Sequence, residues 1–459
     1  MRLLKRSPDS LIIVSVILML FTGLTWIVPA GEYERIEKDG REVLVPGTYS
    51  EMESAAQGIG DLLMAPLAGF EGAAMIIAFV LLVGGAFSML TDTGAVDAAL
   101  FRVLHIAERR PKAKGWIVAG LMVIFSLAGM TFGMSEETLV FVLITLPLAR
   151  SMGYDAFVGV AIPFVGAGMG FAGAAFNPFT VGIAQGIAEI PIFSGFEYRL
   201  IVWAAFTLLA IAFVLRYTRS LDRGEREPFW PVQSDVHQAV QEVELDHRKR
   251  AILILFLLAL GLVMLGAVEY DWYIPEICAL FLSLGILSSL IGGRTSSQAI
   301  EAFYGGAKAM LPAALVIALS KSVLVIAQDG RIIDTMLYAM AGLVEGLPSA
   351  ISVQLMFLVQ GTINFFIPSG SGQAAITMPI MTPLADLLGL SRQTAVLAYQ
   401  LGDGLFNLII PTSGVTMGIL TIAGIPFDKW LKWMAGLMIA SVLLSMFFLA
   451  LPAGFFEWN

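Results

Sequence analysis

The sequence predicts an all-α, polytopic membrane protein built from two inverted repeats, each with a re-entrant helical hairpin and a broken transmembrane helix. Three observations support this: an apolar composition, apolar segments with interruptions, and an internal repeat whose copies differ in the placement of Lys and Arg. The 459 residues are 58% hydrophobic and only 14% charged, with a mean hydropathy of +0.83. Soluble domains carry about 25% charged residues, so we expect the chain to reside in a membrane.

The sequence argues against several classes of function, because it lacks the residues that their chemistry requires at membrane depth. The single cysteine, Cys278, lies in an apolar segment, and His105, His237 and His247 lie in polar or amphipathic segments. No zinc or haem site built from these residues is therefore expected at membrane depth. The chain has no G-x-x-x-x-G-K-[ST] phosphate loop, and its net charge of −9 argues against a nucleic-acid partner. We expect neither enzyme activity nor a cofactor.

Seven apolar segments approach the roughly 20 residues that a transmembrane helix requires. They cover residues 11–28, 73–90, 200–215, 251–268, 277–291, 310–327 and 433–451. No pattern of small residues typical of a cleavage site closely follows the first segment, so we interpret it as a spanning helix and not as a signal peptide. The polar stretches at 31–57 and 216–250 are each shorter than a small domain of about 50 residues.

Four other apolar segments are interrupted. In the first of them, the arm 139–149 would rise only about 16 Å, which is too short for a bilayer core of about 30 Å. We therefore expect hairpins near 115–150 and 351–386, each entering and leaving on the same side of the membrane. The segments near 155–190 and 391–425 contain Gly, Pro and Asn, and are typical of broken helices.

The hairpins and broken helices are related by an internal repeat. Residues of the same type recur at one offset of 236 positions: Gly94 and Gly330, Ser135 and Ser371, Pro147 and Pro383, Gly153 and Gly389, Gly166 and Gly402, Gly168 and Gly404, Gly182 and Gly418. Agreement of Gly and Pro alone has a chance explanation in a chain with 46 glycines. Matched interruptions in both a hairpin and a broken helix favour structural duplication.

The distribution of Lys and Arg predicts that the second copy is inverted in the membrane. Many precede the first hairpin and follow Leu215, whereas few precede the second hairpin and none follows Leu451. With Arg2, Lys5 and Arg6, these cations place the N-terminus and the connector on the cytoplasmic side of an inner membrane. The predicted parts are a first repeat (1–215), a cytoplasmic connector with a linking transmembrane helix (216–268) and a second repeat (269–459).

The interruptions predict a binding site near the bilayer midplane. Backbone outside helical geometry persists at membrane depth only around a cavity or a bound ion. We expect the two hairpin tips to converge with openings of the broken helices at 166–170, 177–178, 402–404 and 407–413, where helix N-termini can hold a carboxylate. The residues predicted to bind a solute are Ser135, Glu136, Glu137, Asn177, Ser369, Ser371, Gly372, Gln373, Asn407, Thr412 and Ser413.

Asp403 is the strongest candidate for ion coupling. A carboxylate among glycines and apolar residues costs at least about 2.5 kcal/mol at a helix centre unless it meets a cation, a proton or water. The alternative is a helix cap that nearby amides satisfy. Freed carbonyls can join it around a cation, so we predict a site for a proton or for Na⁺ near Asp403. The predicted ion-coupling residues are Asp403, Glu137, Gly166, Gly168, Gly402 and Gly404.

Other assignments stay open on the sequence. Acids such as Glu136 and Glu137 stabilise the helix dipole at the start of an arm, and we expect one to cap the arm and one to be a ligand. Lys321 is assigned as the charge partner of an intramembrane acid or a solute carboxylate, with snorkelling to the interface as the alternative. The neutral polar residues could serve only to satisfy broken backbone. The amphipathic segment 95–108 is interpreted as an interfacial helix.

The same residues resemble a known family. The strings FGMSEE at 132–137, NPF at 177–179, SGSGQAAITMP at 369–379 and GDG at 402–404 are similar to the YfcC family, within the C4-dicarboxylate anaerobic carrier (DcuC-like) group of the ion transporter superfamily. The resemblance covers nearly the whole chain. It implies a homodimeric secondary carrier, in which a transport domain moves against a scaffold domain by an elevator motion. It also implies a solute among basic amino acids, C4-dicarboxylates and other small carboxylates.

Two departures from that pattern matter. The sodium-dicarboxylate branch of the superfamily has Ser-Asn-Thr at both hairpin tips, whereas this chain has Ser-Glu-Glu at 135–137 and Ser-Gly-Gln at 371–373. The sodium and dicarboxylate sites of that branch therefore cannot be assigned directly to residues of this chain. Ser135 also stands where the YfcC pattern leads us to expect glycine.

The predicted function is secondary active transport of a small carboxylate or amino acid, by symport with Na⁺ or H⁺ or by exchange. The predicted partners are the solute, the lipid bilayer and a second copy of the chain. Three intramembrane acids against one lysine disfavour a doubly negative solute, although a bound cation would reverse this balance. A passive channel is the alternative, and a hydrolase using Ser371 with Lys321 as its base is a weaker one.

Overall fold

The computed structural model describes residues 10–38, 41–99, 102, 111–230, 245–270, 272, 274–342, 347–454 and 458. Within these residues, seven helices are long and apolar enough to cross a membrane. The chain is therefore a multi-pass membrane protein. The predicted features that lie outside the described residues are Arg2, Lys5, Arg6, His105, His237, most of the segment 95–108 and part of the connector.

Helices account for most of the described chain. They are α1 (Ser10–Leu24), α2 (Ile59–Gly72), α3 (Ala74–Asp92), α4 (Pro111–Phe132), α5 (Thr138–Ser151), α6 (Ala156–Val160), α7 (Gly166–Ala172), α8 (Ile183–Ile187), α9 (Phe196–Asp222), α10 (His247–Glu269), α11 (Ile274–Ile291), α12 (Ser296–Asp329), α13 (Ile333–Gly342), α14 (Ser349–Phe366), α15 (Gly370–Leu387), α16 (Arg392–Phe406), α17 (Gly414–Ala423) and α18 (Phe427–Gly454). Two π-helical segments, Ala161–Val165 and Pro178–Gly182, precede α7 and α8.

The predicted all-α architecture omits a small β element between α1 and α2. Its strands are β1 (Gly31–Glu32), β2 (Arg35–Lys38), β3 (Arg41–Leu44) and β4 (Ser50–Glu51), with β1 antiparallel to β4 and β2 to β3. The Arg35 guanidinium donates to both carboxylate oxygens of Asp334 at 2.9 Å, which fastens the element to α13. Burial and then the nearby Asp334 carboxylate raise the pKa of Tyr33 to about 12. The strands are too short to show an alternating sequence pattern.

All seven predicted spans correspond to helices with other bounds; α1 is shorter than predicted and α12 is extended most. The helix α1 ends at Leu24 and has only 15 residues. The helix α12 has 34 residues and begins 14 residues before the predicted span, because Thr295 and Gln298 form a capping box. In that box the Gln298 N–H donates to Thr295 Oγ1 at 3.3 Å, and the Thr295 N–H donates to Gln298 Oε1 at 3.0 Å.

Both predicted hairpins are helix–turn–helix units. Residues 133–137 join α4 to α5, and residues 367–369 join α14 to α15. Gly133 adopts a φ of +73° in the first turn, a left-handed conformation that favours glycine. The 14 residues of α5 rise about 21 Å, which is shorter than a bilayer core. The same-side entry and exit of each hairpin stays a prediction.

Each broken helix opens once, and two of the predicted openings are wrong. Residues 173–177 separate α7 from the second π-helical segment, and residues 407–413 separate α16 from α17. Helical structure continues through 166–170 and 402–404. The glycines there permit close helix crossings: a Cβ on Gly404 would lie 2.5 Å from Ala172 Cα. Gly166 and Gly402 likewise face neighbouring helices closely, and Gly168 faces Leu408 in the break between α16 and α17.

The helices pack as two groups. In the first, here called the α12 group, α12 lies along α2 and α3, α1 packs on α12, and α11 packs on α3. In the second, called the hairpin group, the two hairpins pack on the broken helices together with α9 and α18. The main contact between the groups is between α12 and α17. The division into two inverted repeats stays a prediction.

The crossing of α4 over α7 depends on Gly129. A Cβ at this position would collide with the carbonyl oxygen of Ala167. We expect Gly129→Ala to destabilise the protein by about 1–3 kcal/mol, because overpacking forces the helices apart. The measurement is the thermal unfolding midpoint of the purified protein in detergent.

Gly120→Ala is the matched control, since it lies in the same helix and nothing stands within 4 Å of its added Cβ. Its midpoint should stay unchanged or rise slightly, because alanine favours helix. Equal midpoints for the two variants would contradict this account of the crossing.

Candidate functional site

Three of the four interruptions line one cavity of about 270 Å³, and the fourth, 173–177, contributes only through its flanking residues Phe171, Phe179 and Thr180. This is close to the lower end of the range for small-molecule pockets, about 300 Å³. The hairpin group forms one side of it, and α12 with the junction of α2 and α3 forms the other. The predicted residues that line the cavity are Ser135, Glu136, Ser369, Ser371, Asn407, Thr412, Ser413 and Lys321. Those that do not line it are Glu137, Asn177, Gly372, Gln373, Asp403, Gly166, Gly168, Gly402 and Gly404.

The first hairpin tip separates its two acids. Glu137 is only 4% exposed, and its Oε2 accepts a hydrogen bond of 3.1 Å from the Ser135 N–H. The Thr138 hydroxyl donates to the Ser135 carbonyl in the same turn. Glu136 instead lines the cavity. One acid thus satisfies the broken backbone and the other is placed to meet a solute.

The second hairpin tip presents the N-terminus of α15 to the cavity. Ser369 caps the helix, with its Oγ accepting from the Gly372 N–H at 3.4 Å. Gln373 turns away from the cavity and donates to Gln360 Oε1 at 2.7 Å. Ser369 and Ser371 therefore face the cavity beside a partially positive helix N-terminus, which favours an anionic group.

The breaks in the two broken helices carry matching caps. Asn177 Oδ1 accepts from the Phe179 N–H at 2.9 Å, and Ser413 Oγ accepts from the Thr416 N–H at 3.3 Å. Thr412 donates to the Phe365 carbonyl at 2.6 Å. Asn177 is fully buried, so its side chain serves the backbone, whereas Ser413 both caps α17 and lines the cavity.

Asp403 lies directly behind the second hairpin tip, outside the cavity lining. It is fully buried, and its Oδ1 accepts from Asn407 Nδ2 at 3.1 Å. Its Oδ2 has no hydrogen-bond partner among the described residues. A Cβ built on Gly370 would lie 2.9 Å from this Oδ2 and 2.5 Å from Thr180 Cγ2. The unpartnered oxygen therefore sits between the tip and the first broken helix.

Other buried oxygens in the hairpin group also lack donors among the described residues. They include the amide oxygens Asn364 Oδ1, Gln373 Oε1 and Gln400 Oε1. Asn364 is linked to Asp403, since its Nδ2 donates to the Asp403 carbonyl at 2.9 Å. Carboxylate and amide oxygens without donors match the chemistry of a hard cation such as Na⁺, and a proton would equally satisfy the carboxylate.

Lys321 reaches the cavity from the α12 group. Its stem passes Gly72 at the junction of α2 and α3, where a Cβ would lie 3.2 Å from the Lys321 Cε. Glu136 and Lys321 are the charged side chains among the described residues that line the cavity. A cation and a carboxylate thus enter the same space from different helix groups.

Sequence reasoning missed several residues at the site. Thr180 and Ser320 line the cavity, and the hydroxyl of each is buried without a partner among the described residues. The internal repeat held a signal for Thr180, which is 236 positions before Thr416. Ser320 gave no signal beyond its position next to Lys321.

Two solved structures of transporters are similar to this chain at low identity. The Alcanivorax borkumensis YdaH transporter is 16% identical with a TM-score of 0.44, over 98% of this chain and 99% of that one. MtrF of Neisseria gonorrhoeae, described within a class of antimetabolite efflux pumps, is 17% identical with a TM-score of 0.43, over 97% and 95%.

Sequence comparisons extend over almost the whole chain. Residues 7–453 match the C4-dicarboxylate anaerobic carrier family, DcuC. YfcC of Escherichia coli (strain K12), named as a candidate basic amino acid antiporter, is 32% identical over 93% of this chain and 92% of its own length. An uncharacterized protein of Haemophilus influenzae is 28% identical over 95% and 96%. The predicted resemblance is confirmed, and the chain belongs to the C4-dicarboxylate anaerobic carrier family.

Proposed function

We propose that this protein is a secondary active transporter for a small carboxylate or an amino acid in the inner membrane. The observation that carries the proposal is a cavity lined by both hairpin tips and by the break in the second broken helix, with Glu136 and Lys321 entering from different helix groups. Interrupted helices around a central site are typical of alternating-access transporters. The transporter family supports the same class of function.

An amino acid is the solute that matches the charges of the cavity. Its ammonium group would face Glu136, and its carboxylate would face Lys321 and the N-termini of α15 and α17. A C4-dicarboxylate would bring two negative charges beside Glu136, and low dielectric makes such repulsion costly unless a cation is bound. The name of the E. coli relative, a basic amino acid antiporter, supports the amino acid.

Coupling is assigned to Asp403. Its Oδ2 is a buried carboxylate oxygen without a described donor, which a cation or a proton would satisfy. The proposed mechanism is an elevator motion, in which the hairpin group slides along the α12 group as one body. A homodimer of two such units, held by the α12 groups, completes the proposal.

Transport by purified protein in liposomes tests the solute class. We expect uptake of L-arginine, L-lysine or L-ornithine to saturate, and fumarate and succinate to be taken up at least tenfold more slowly. Empty liposomes are the control. Rejection of every amino acid together with uptake of fumarate would replace the amino-acid assignment by a dicarboxylate. Conductance without saturation would indicate a channel.

Glu136→Gln tests the carboxylate of the cavity. Loss of one charge-assisted contact is worth about 1.5–3 kcal/mol, so the KM for L-arginine should rise at least tenfold. Glu301→Gln is the matched control, because Glu301 is an exposed residue of α12 away from the cavity. An unchanged KM in Glu136→Gln would remove Glu136 from the solute site.

Asp403→Asn tests coupling. The variant keeps the size of the side chain and removes its charge, so a Na⁺ or proton gradient should no longer accelerate uptake in liposomes. Asp329→Asn, an exposed change at the end of α12, should keep the response of the wild type. A full gradient response in Asp403→Asn would show that coupling resides elsewhere.

A further inference from the structure

The cation of the cavity belongs to a different helix group from the acids. Lys321 lies on α12, whereas Glu136 lies on the tip between α4 and α5, and Asp403 lies on α16. Lys321 forms no hydrogen bond or ion pair with any residue that the structure describes. The neighbouring Ser320 Oγ also lines the cavity without a described partner. The α12 face of the cavity therefore carries donors that no described residue satisfies.

An uncompensated lysine at membrane depth is costly and typically marks a functional site. The contact of its stem with Gly72 directs it along the junction of α2 and α3 to the cavity. A carboxylate is the anion that would neutralise the charge of Lys321, and the proposed solute supplies this group. A solute bound by both charged residues would bridge the two helix groups.

We propose that Lys321 binds the solute carboxylate in only one of the two end states of transport. This inference rests on the proposed function. If the hairpin group carries the solute along α12, Lys321 stays behind with the α12 group, and its contact is lost on the other side of the membrane. Serine hydroxyls and helix N-termini of the hairpin group travel with the solute, so they contribute on both sides.

The consequence is an affinity that differs between the two faces. A ligand shifts a two-state equilibrium only by its differential affinity for the two states. The Lys321 contact therefore favours loading on the face where it forms and release on the other. Removal of this contact should make the solute affinities on the two faces more alike without abolishing transport.

The test is initial-rate transport of labelled L-arginine by the full chain in right-side-out and in inside-out membrane vesicles. For Lys321→Met we expect the KM to rise about tenfold or more on one face and to change less than twofold on the other. Lys321→Arg keeps the charge and should restore most of the affinity. Lys308→Met, an exposed change on the same helix away from the cavity, should match the wild type on both faces.

The outcomes separate this inference from the proposed function. A rise of KM on both faces would mean that Lys321 moves with the solute, and an unchanged KM on both faces would mean that it does not bind the solute. Either result overturns the inference and leaves a transporter. If Lys321→Met does not fold, Gly72→Ala shifts the lysine stem instead, because its Cβ would lie 3.2 Å from Lys321 Cε, and should give a smaller change on the same face only. A wild-type protein that moves neither L-arginine nor fumarate would overturn both proposals.

Discussion

Hydrogen bonding of the backbone at the four helix interruptions is the constraint on which the rest of the structure depends. Lipid offers no partner to a freed N–H group, so the chain must supply one. Glu137 does so at the first tip and Ser369 at the second, while Asn177 and Ser413 cap the two broken helices. Glu137 and Asn177 are thereby committed to the backbone, whereas Ser369 and Ser413 cap their helices and also line the cavity.

Close helix crossings bring the interruptions to one place. Gly170 lies against the Ser126 backbone, and Gly404 lies against Ala172, so α4 and α16 both reach the backbone of α7. A side chain at either glycine would hold these helices apart and move the breaks away from each other. The glycines of the broken helices thus act through packing, whereas the helices are interrupted at the capping residues Asn177 and Ser413.

The two helix groups contribute different chemistry to the same cavity. The hairpin group provides a carboxylate, hydroxyls and helix N-termini, whereas the α12 group provides an amine and a further hydroxyl. Asp403 stays behind the second tip, separated from the cavity lining but close to Gly370 and Thr180. In the proposed function, solute and coupling ion share one hairpin tip, Gly370 and its neighbours, without sharing ligands, and a movement of the tip would affect both.

The sequence by itself determined the membrane class, most spans, the helix–turn–helix form of both hairpins, one break in each broken helix and the family. These features depend on the length of apolar segments and on their local interruption. It could not distinguish Glu136 from Glu137, because both precede the same helix. Only the fold of the tip directs Glu136 to the cavity and Glu137 to the backbone. The sequence also could not place Asp403 outside the cavity, or bring Lys321 and Glu136 to the same cavity, since this arrangement arises where distant helices cross.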